Sequence, residues 1–94
     1  MKILVASTVD NIIVSALTLT CVTPPTIALL ECGTSTTCAT PTTIGSVQVT
    51  ATGTATPATV SAPAITAGDY VAWALTAGTC TSFDVSGSAQ VHAN

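Results

Sequence analysis

Alternation of apolar and polar side chains is clearest over residues 70–76 and predicts the central strand of the fold. Val71, Trp73 and Leu75 point to one face of such a strand, and the residues between them point to the other. Residues 66–69 form a predicted tight turn, because glycine can take a positive φ and aspartate can bond its own backbone. Trp73 is the only tryptophan, and one large ring on a central strand can organise a small core. We therefore expect Trp73 to lie in the core.

Six other segments have apolar or alternating patterns typical of strands. They are 2–7, 12–22, 26–32, 43–52, 58–65 and 82–92. Pro24 and Pro25 are expected to end the second of these, and residues 77–79 to turn the chain. In the last segment the apolar side chains are expected to face the core, namely Phe83, Val85, Ala89 and Val91. No window has a helical period, and turn signals recur about every ten residues. The sequence therefore predicts an all-β fold, a single antiparallel β-sandwich or jelly-roll-like barrel of about seven to eight short strands.

The chain of 94 residues is predicted to form one β-sandwich domain over residues 1–94. Residues 1–7 could serve as an N-terminal arm or as an edge strand. Their apolar run resembles the beginning of a signal peptide, but Asp10 and Asn11 interrupt it and no convincing cleavage site follows. We therefore expect no cleaved signal. No run reaches the ~18 apolar residues that a membrane span requires.

Composition excludes several classes of function. Charged residues make up 5% of the chain, and one cation, Lys2, stands against four carboxylates, for a formal net charge of −3. Nucleic-acid binding requires several cations that neutralise phosphates, and attraction to anionic lipid requires them too, so we expect neither partner. With so few charges a free monomer would have low solubility. We therefore expect a permanent assembly, in which partner subunits cover apolar surface.

The four cysteines are an even set that permits three pairings. Cys32 and Cys38 bracket a short loop rich in threonine and serine, where a disulfide would pin a hairpin, and Cys21 and Cys80 would then pair by elimination. The alternative is that some of the four are buried free thiols. A zinc site is disfavoured, because structural zinc needs closely spaced thiolate pairs or a nearby histidine. Disulfides would indicate maturation outside a reducing cytosol.

No constellation of residues predicts catalysis, a cofactor or a metal. His92 is the only histidine and lies near the end of the chain, without a partner that the sequence can position. The carboxylates of Asp10, Glu31, Asp69 and Asp84 are scattered. The sequence lacks a phosphate-binding loop, a dinucleotide fingerprint and a nucleophile motif. We therefore expect a non-enzymatic protein that needs no cofactor.

Six residues are candidates for contacts between subunits. They are Ile3, Leu4, Val5, Ile12, Val14 and Tyr70. The first three belong to the arm, which could add a strand to the sheet edge of a neighbour. The next two lie on a segment whose faces are both apolar, so that both should be covered. Tyr70 and Trp73 point to opposite faces of one strand and cannot form one sugar-binding platform, so Tyr70 is the aromatic residue expected to touch a partner.

Three segments resemble a recurring type of small β-domain in tailed-phage virions. They are residues 43–50 (TIGSVQVT), 65–73 (ITAGDYVAW) and 83–91 (FDVSGSAQV). Capsid decoration (cement) proteins and fibre or spike tip domains have a similar I-x-A-G-D-x-V turn and strand. The resemblance implies a fold and a kind of assembly, and it carries over no functional residue, because these families are defined by fold and assembly.

The resemblance and the composition together lead us to expect a virion structural protein. In this interpretation it is a capsid decoration protein on the virion exterior, which stabilises the shell through contacts with the major capsid protein or other virion proteins. We expect a homo-oligomer, for example a trimer. The alternative is a receptor- or glycan-binding tip domain of a phage fibre, or a subunit of an extracellular filament or adhesin. The binding loop would then be residues 33–41.

Overall fold

The computed structural model describes residues 2–53 and 56–94, and over these residues the protein is all-β, without a helix. This confirms the predicted fold class. The strands are β1 (Ser7–Glu31), β2 (Thr42–Gln48), β3 (Thr56–Val60), β4 (Ala64–Ile65) and β5 (Val71–Ala93). They form one antiparallel sheet.

β1 lies at the centre of this sheet. One edge of β1 pairs with β5 along nearly its whole length, from Ser7 opposite Ala93 to Glu31 opposite Val71. The other edge pairs in turn with β4, with β3 and with β2. β3 lies beside the first half of β1 (residues 7–16) and β2 beside the second half (residues 26–31). Because β2 and β3 also pair with each other, the sheet curls into a half-barrel.

Two long strands each replace two of the predicted short ones. β1 covers the predicted strands 12–22 and 26–32, and β5 covers 70–76 and 82–92. The structure therefore has five strands over the residues that it describes, rather than seven to eight. The described residues form a curled antiparallel half-barrel, which does not confirm the sandwich or jelly-roll closure expected from the sequence.

A single bend explains why the predicted strand ends are wrong. Pro24 and Pro25 lie within β1 as a bulge, and the register with β5 shifts on both sides of them. Gly78 lies opposite this bulge with a φ of +123°, and a Cβ atom there would be 2.7 Å from the Cα of Pro25. Proline lacks the N–H that a regular ladder needs, so it is tolerated at a bulge. The proline pair of β1 and the glycine of β5, which were expected to end their strands, lie opposite each other, and both strands bend there instead of ending.

The core lies inside the curl. The first half of β1 contributes Ile12 and Val14, at 1% and 0% exposure, and the opposite wall contributes Ile44 and Val49. Ile12 and Val14 were candidates for subunit contacts, and the structure places them in the core of the chain itself. The reason is that the second half of β1 folds back over their face, so their cover comes from the same chain.

Two disulfides hold the curled sheet. Cys21 and Cys80 are directly opposite each other in the ladder between β1 and β5, within the bent region. Cys32 and Cys38 close the loop between β1 and β2. Of the three pairings that the sequence left open, this is the one that follows if the short loop is closed by Cys32 and Cys38, and no cysteine is left as the free thiol of the alternative interpretation.

Candidate functional site: the open side of the half-barrel

β5 is the edge strand of the sheet. One side of it pairs with β1, and over residues 73–93 no strand described by the structure pairs with the other side. An antiparallel strand presents unpaired N–H and C=O groups at such an edge, which makes it a template for another chain. We call the opening of the half-barrel beside this edge, which is lined by Trp73, Leu75, Phe83, Gly87 and Val91, the open side.

The two halves of β5 face each other across the open side. Because β5 bends at Gly78, residues 71–77 form its first half and residues 83–93 its second half. The ring of Trp73 in the first half reaches Gly87 in the second, where a Cβ atom would lie 2.9 Å from Cη2 of the indole. Two clefts of about 360 and 260 Å³ adjoin here, and Trp73 and Gly87 line both.

Apart from Ser88, the residues that line the two clefts are apolar, and none of them has an ionisable side chain. The floor is formed by buried residues of the core, namely Val9, Ile27, Leu29, Ile65 and Val71. The rim is formed by apolar side chains that remain in contact with solvent, namely Trp73, Leu75, Phe83 and Val91, which are 40–47% exposed. The open side is therefore an uncovered continuation of the core.

Trp73 and the apolar residues of 82–92 face inward, as expected, and Val85 and Ala89 pack against the core. Trp73 itself is not buried in the core as expected, and Phe83 and Val91 are also exposed. Alternation along a strand tells which face a side chain occupies, and it does not tell whether a second layer covers that face. The sequence therefore identified the residues of the open side without identifying their exposure. A local signal was present in Gly87, since glycine within a strand often marks close approach of another group.

The N-terminal residues expected to form an arm lie on their own chain. The Ile3 N–H donates to the Asp69 C=O at 2.8 Å, and the Ile3 C=O accepts from the Gly68 N–H at 2.7 Å. Ile3 also lines one end of the larger cleft. Leu4 and Val5 are exposed. The segment is thus held at the turn before β5, with two apolar side chains directed to solvent.

Tyr70 is half-buried beside this segment. The Lys2 ammonium lies 5.9 Å from the centre of its ring, a distance typical of a cation–π contact. Its backbone N–H donates to the Gly33 C=O at 2.8 Å, and its C=O accepts from the Cys32 N–H at 2.7 Å. Tyr70 therefore connects the N-terminal segment with the disulfide loop, and it does not line either cleft of the open side.

The ionisable groups do not meet in the open side. The Asp10 carboxylate pairs with His92 Nδ1, at 2.7 Å from Oδ2, on the exposed outer face, a contact between residues too far apart in sequence to be predicted. Glu31 accepts the Gly33 N–H at 2.7 Å. Within residues 2–53 and 56–94, no group of three or more His, Cys, Asp or Glu side chains is arranged to hold a metal ion.

Comparisons with protein-family models, with curated proteins and with solved structures find no significant match to this chain. None of the described residues belongs to a helix with the length and apolar character that crossing a bilayer would require.

Proposed function

We propose that this chain is a non-enzymatic virion structural protein, a capsid decoration (cement) protein that reinforces a shell from its exterior. The observation that supports this proposal most is the open side, where an apolar cleft adjoins the free edge of β5. Such a surface fits a permanent contact with another subunit.

The free edge has few of the features that protect edge strands in monomeric proteins. Such edges are usually short, or they carry lysine, proline or inward-pointing charge. β5 runs from Val71 to Ala93, and its ionisable residues are Asp84 and His92, both exposed. A protein that exposes this edge beside Trp73 and Phe83 is at risk of nonspecific association. A fixed partner on the open side removes that risk.

The contact would be stabilised by apolar burial and by backbone hydrogen bonds along the edge. A stable interface removes ~1,200 Å² or more of surface from water, and the edge of β5 offers a strand-length row of donors and acceptors. Strands from a partner laid on the open side would also complete the sandwich or jelly roll that the sequence predicts. In this proposal the sandwich or jelly roll is closed only in the assembly, by strands of the partner.

Location on the virion exterior is supported by two further observations. Both disulfides are of the kind that persists outside a reducing cytosol. A chain with one cation is unsuited to the DNA-facing lining of a shell, where phosphates must be neutralised. The partner in this proposal is the major capsid protein or a neighbouring copy of this chain.

The test is binding to shells assembled from the cognate major capsid protein without this chain. The purified protein should decorate the outer surface at regular positions in electron micrographs and should raise the temperature at which the shells dissociate. A Trp73→Ala variant should bind more weakly, with Ser46→Ala, at an exposed position of β2 away from the open side, as the control. Wild-type protein that leaves the shells bare at micromolar concentration would contradict the proposal.

A second candidate function is supported by the loop between β1 and β2. Cys32 and Cys38 pin this loop, and it exposes the hydroxyl-bearing residues Thr34, Thr36 and Thr37. A rigid loop of this kind suits a receptor- or glycan-binding tip of a fibre, or an adhesin subunit. Adsorption to host cells that is lost when Thr36 and Thr37 are replaced by alanine, with no binding to shells, would favour this function over decoration.

A further inference from the structure

We propose that two copies of this chain associate edge to edge through the second half of β5, antiparallel, about a two-fold axis at Ser88. This dimer would be one of the subunit contacts of the proposed function. It rests on that function only in requiring that copies of the chain bind through the open side. A two-fold contact needs one self-complementary surface, because each copy presents the same residues to the other.

The edge of residues 83–93 is available for this pairing. Along the edge that faces β1, each of these residues has a partner on β1, from Leu19 opposite Phe83 to Ser7 opposite Ala93. Along the opposite edge, no strand among the described residues lies next to it. A second copy can therefore continue the sheet without displacing a pairing that already exists.

The sequence on this edge is complementary to itself about Ser88. Antiparallel pairing about a two-fold axis places each residue opposite the one that lies equally far on the other side of the axis. On the inner face the pairs are Phe83–Ala93, Val85–Val91 and Gly87–Ala89. On the outer face they are Asp84–His92, Ser86–Gln90 and Ser88–Ser88. Apolar residues thus face apolar ones, and Asp84 faces His92, whose Nδ1 already holds Asp10 of its own chain, so that the imidazole would lie between two carboxylates. Apolar pairs and pairs of opposite charge are the cross-strand pairs that stabilise sheets.

Neighbouring registers lose this complementarity. An axis at Gly87 places Asp84 opposite Gln90 and His92 opposite Ser82, and an axis at Ala89 places Asp84 opposite Asn94. A shift by one residue places inner side chains opposite outer ones. The axis at Ser88 is therefore the register that pairs both ionisable residues of β5 while it keeps the apolar row continuous.

This pairing would also cover Trp73. The indole lies on Gly87, which is next to the proposed axis, so the apolar row of the second copy passes beside the exposed side of the ring. Trp73 is the only tryptophan of the chain. Its fluorescence emission is thus a direct signal of association, and it should shift to shorter wavelength as copies pair.

Cysteine cross-linking tests the register. In the proposed dimer the two Ser88 residues face each other, so Ser88→Cys should give a covalent dimer under mild oxidation. The two Ser86 residues would lie four positions apart, or about 13 Å along the strands, beyond the ~7 Å between Cα atoms that a disulfide spans. Ser86→Cys is therefore the matched control and should remain largely uncrosslinked. Peptide mapping under non-reducing conditions confirms that the native disulfides are intact.

A charge at the axis tests the edge by a second route. Ser88→Lys places two ammonium groups opposite each other, which is destabilising in a sheet, and should weaken self-association measured by sedimentation by at least about tenfold. Ser46→Lys makes the same change at an exposed position of β2, away from β5, and should leave association unchanged. A wild-type chain that stays monomeric at high micromolar concentration, or equal effects at positions 88 and 46, overturns the proposal.

The two proposals fail separately. Equal cross-linking of Ser88→Cys and Ser86→Cys overturns this register even if the protein decorates shells. Efficient cross-linking of Ser88→Cys alone, with shells left bare, supports the dimer and contradicts the decoration function.

Discussion

The indole of Trp73 lies directly on Gly87, such that a Cβ atom at position 87 would be 2.9 Å from Cη2 and 3.0 Å from both Cζ2 and Cζ3. The two residues belong to opposite halves of β5. Their contact spans the opening of the half-barrel, where the sheet itself provides no closure. It also separates two clefts whose apolar lining is the basis of the proposed function.

Replacement of Gly87 by valine should displace the Trp73 ring. Overpacking of a close contact costs about 1–3 kcal/mol, and a ring pushed off Gly87 loses this contact and gains exposure to water. We expect a lower free energy of unfolding in urea and a shift of tryptophan emission to longer wavelength. Ser86→Val, one position earlier and on the outer face, is the control and should change neither quantity appreciably. Unchanged emission in Gly87→Val would show that the ring does not rest on this backbone.

Gly78→Ala should destabilise the fold more than an alanine at another glycine with positive φ. At Gly78 the new Cβ would meet backbone atoms of Pro25 at 2.7 Å, whereas at Gly53, with a φ of +73°, it meets nothing within 4 Å. The conformational strain of a positive φ costs about 1–2 kcal/mol at either site. The clash adds to it at Gly78 alone, because neither backbone can yield without opening the bend. Urea unfolding of the two variants measures the difference, and equal losses would contradict this account of the bend.

The two disulfides should contribute unequally to stability. Their cysteines are separated by 59 residues in Cys21–Cys80 and by 6 in Cys32–Cys38. By the chain-entropy relation these loops are worth about 4 and about 2 kcal/mol respectively. We therefore expect the double variant Cys21→Ala/Cys80→Ala to lose more of the free energy of unfolding than Cys32→Ala/Cys38→Ala. The reverse order would mean that the bend is held by packing rather than by its cross-link.

Ile44→Ala should be among the most damaging truncations in the chain. Its side chain is 0% exposed within the core, and removal of a buried isoleucine costs about 2–5 kcal/mol. Leu17 is 79% exposed, so Leu17→Ala should change stability by less than about 0.5 kcal/mol. Thermal or urea unfolding of both variants checks the contrast. A comparable loss in Leu17→Ala would indicate that a subunit contact covers this residue in solution.

Local pattern predicted much of the fold because each strand leaves its own signature. Threonine, valine and alternation indicated the positions of the pleated segments, and the even set of cysteines indicated disulfides without deciding among their three pairings. Pro24 and Pro25 were misinterpreted because a proline pair ends a strand when it lies alone. Here Gly78 lies opposite, and the bulge becomes a bend. The bend depends on a contact between Pro25 and Gly78, which are 53 positions apart, and a local sequence pattern carries no information about such a contact.

In the candidate site, too, the local pattern predicted some features and long-range contacts decided the others. The sequence by itself determined an all-β chain with little charge, an inward row of Trp73, Phe83 and Val91, and cysteines suited to cross-linking, because these depend on side-chain chemistry and period. Only the tertiary structure decided that β1 and β5 bend together, that Ile12 and Val14 are covered by their own chain, and that the row along β5 remains open. Coverage depends on which segments return to pack on a face, and that is set by long-range pairing rather than by neighbours in the chain.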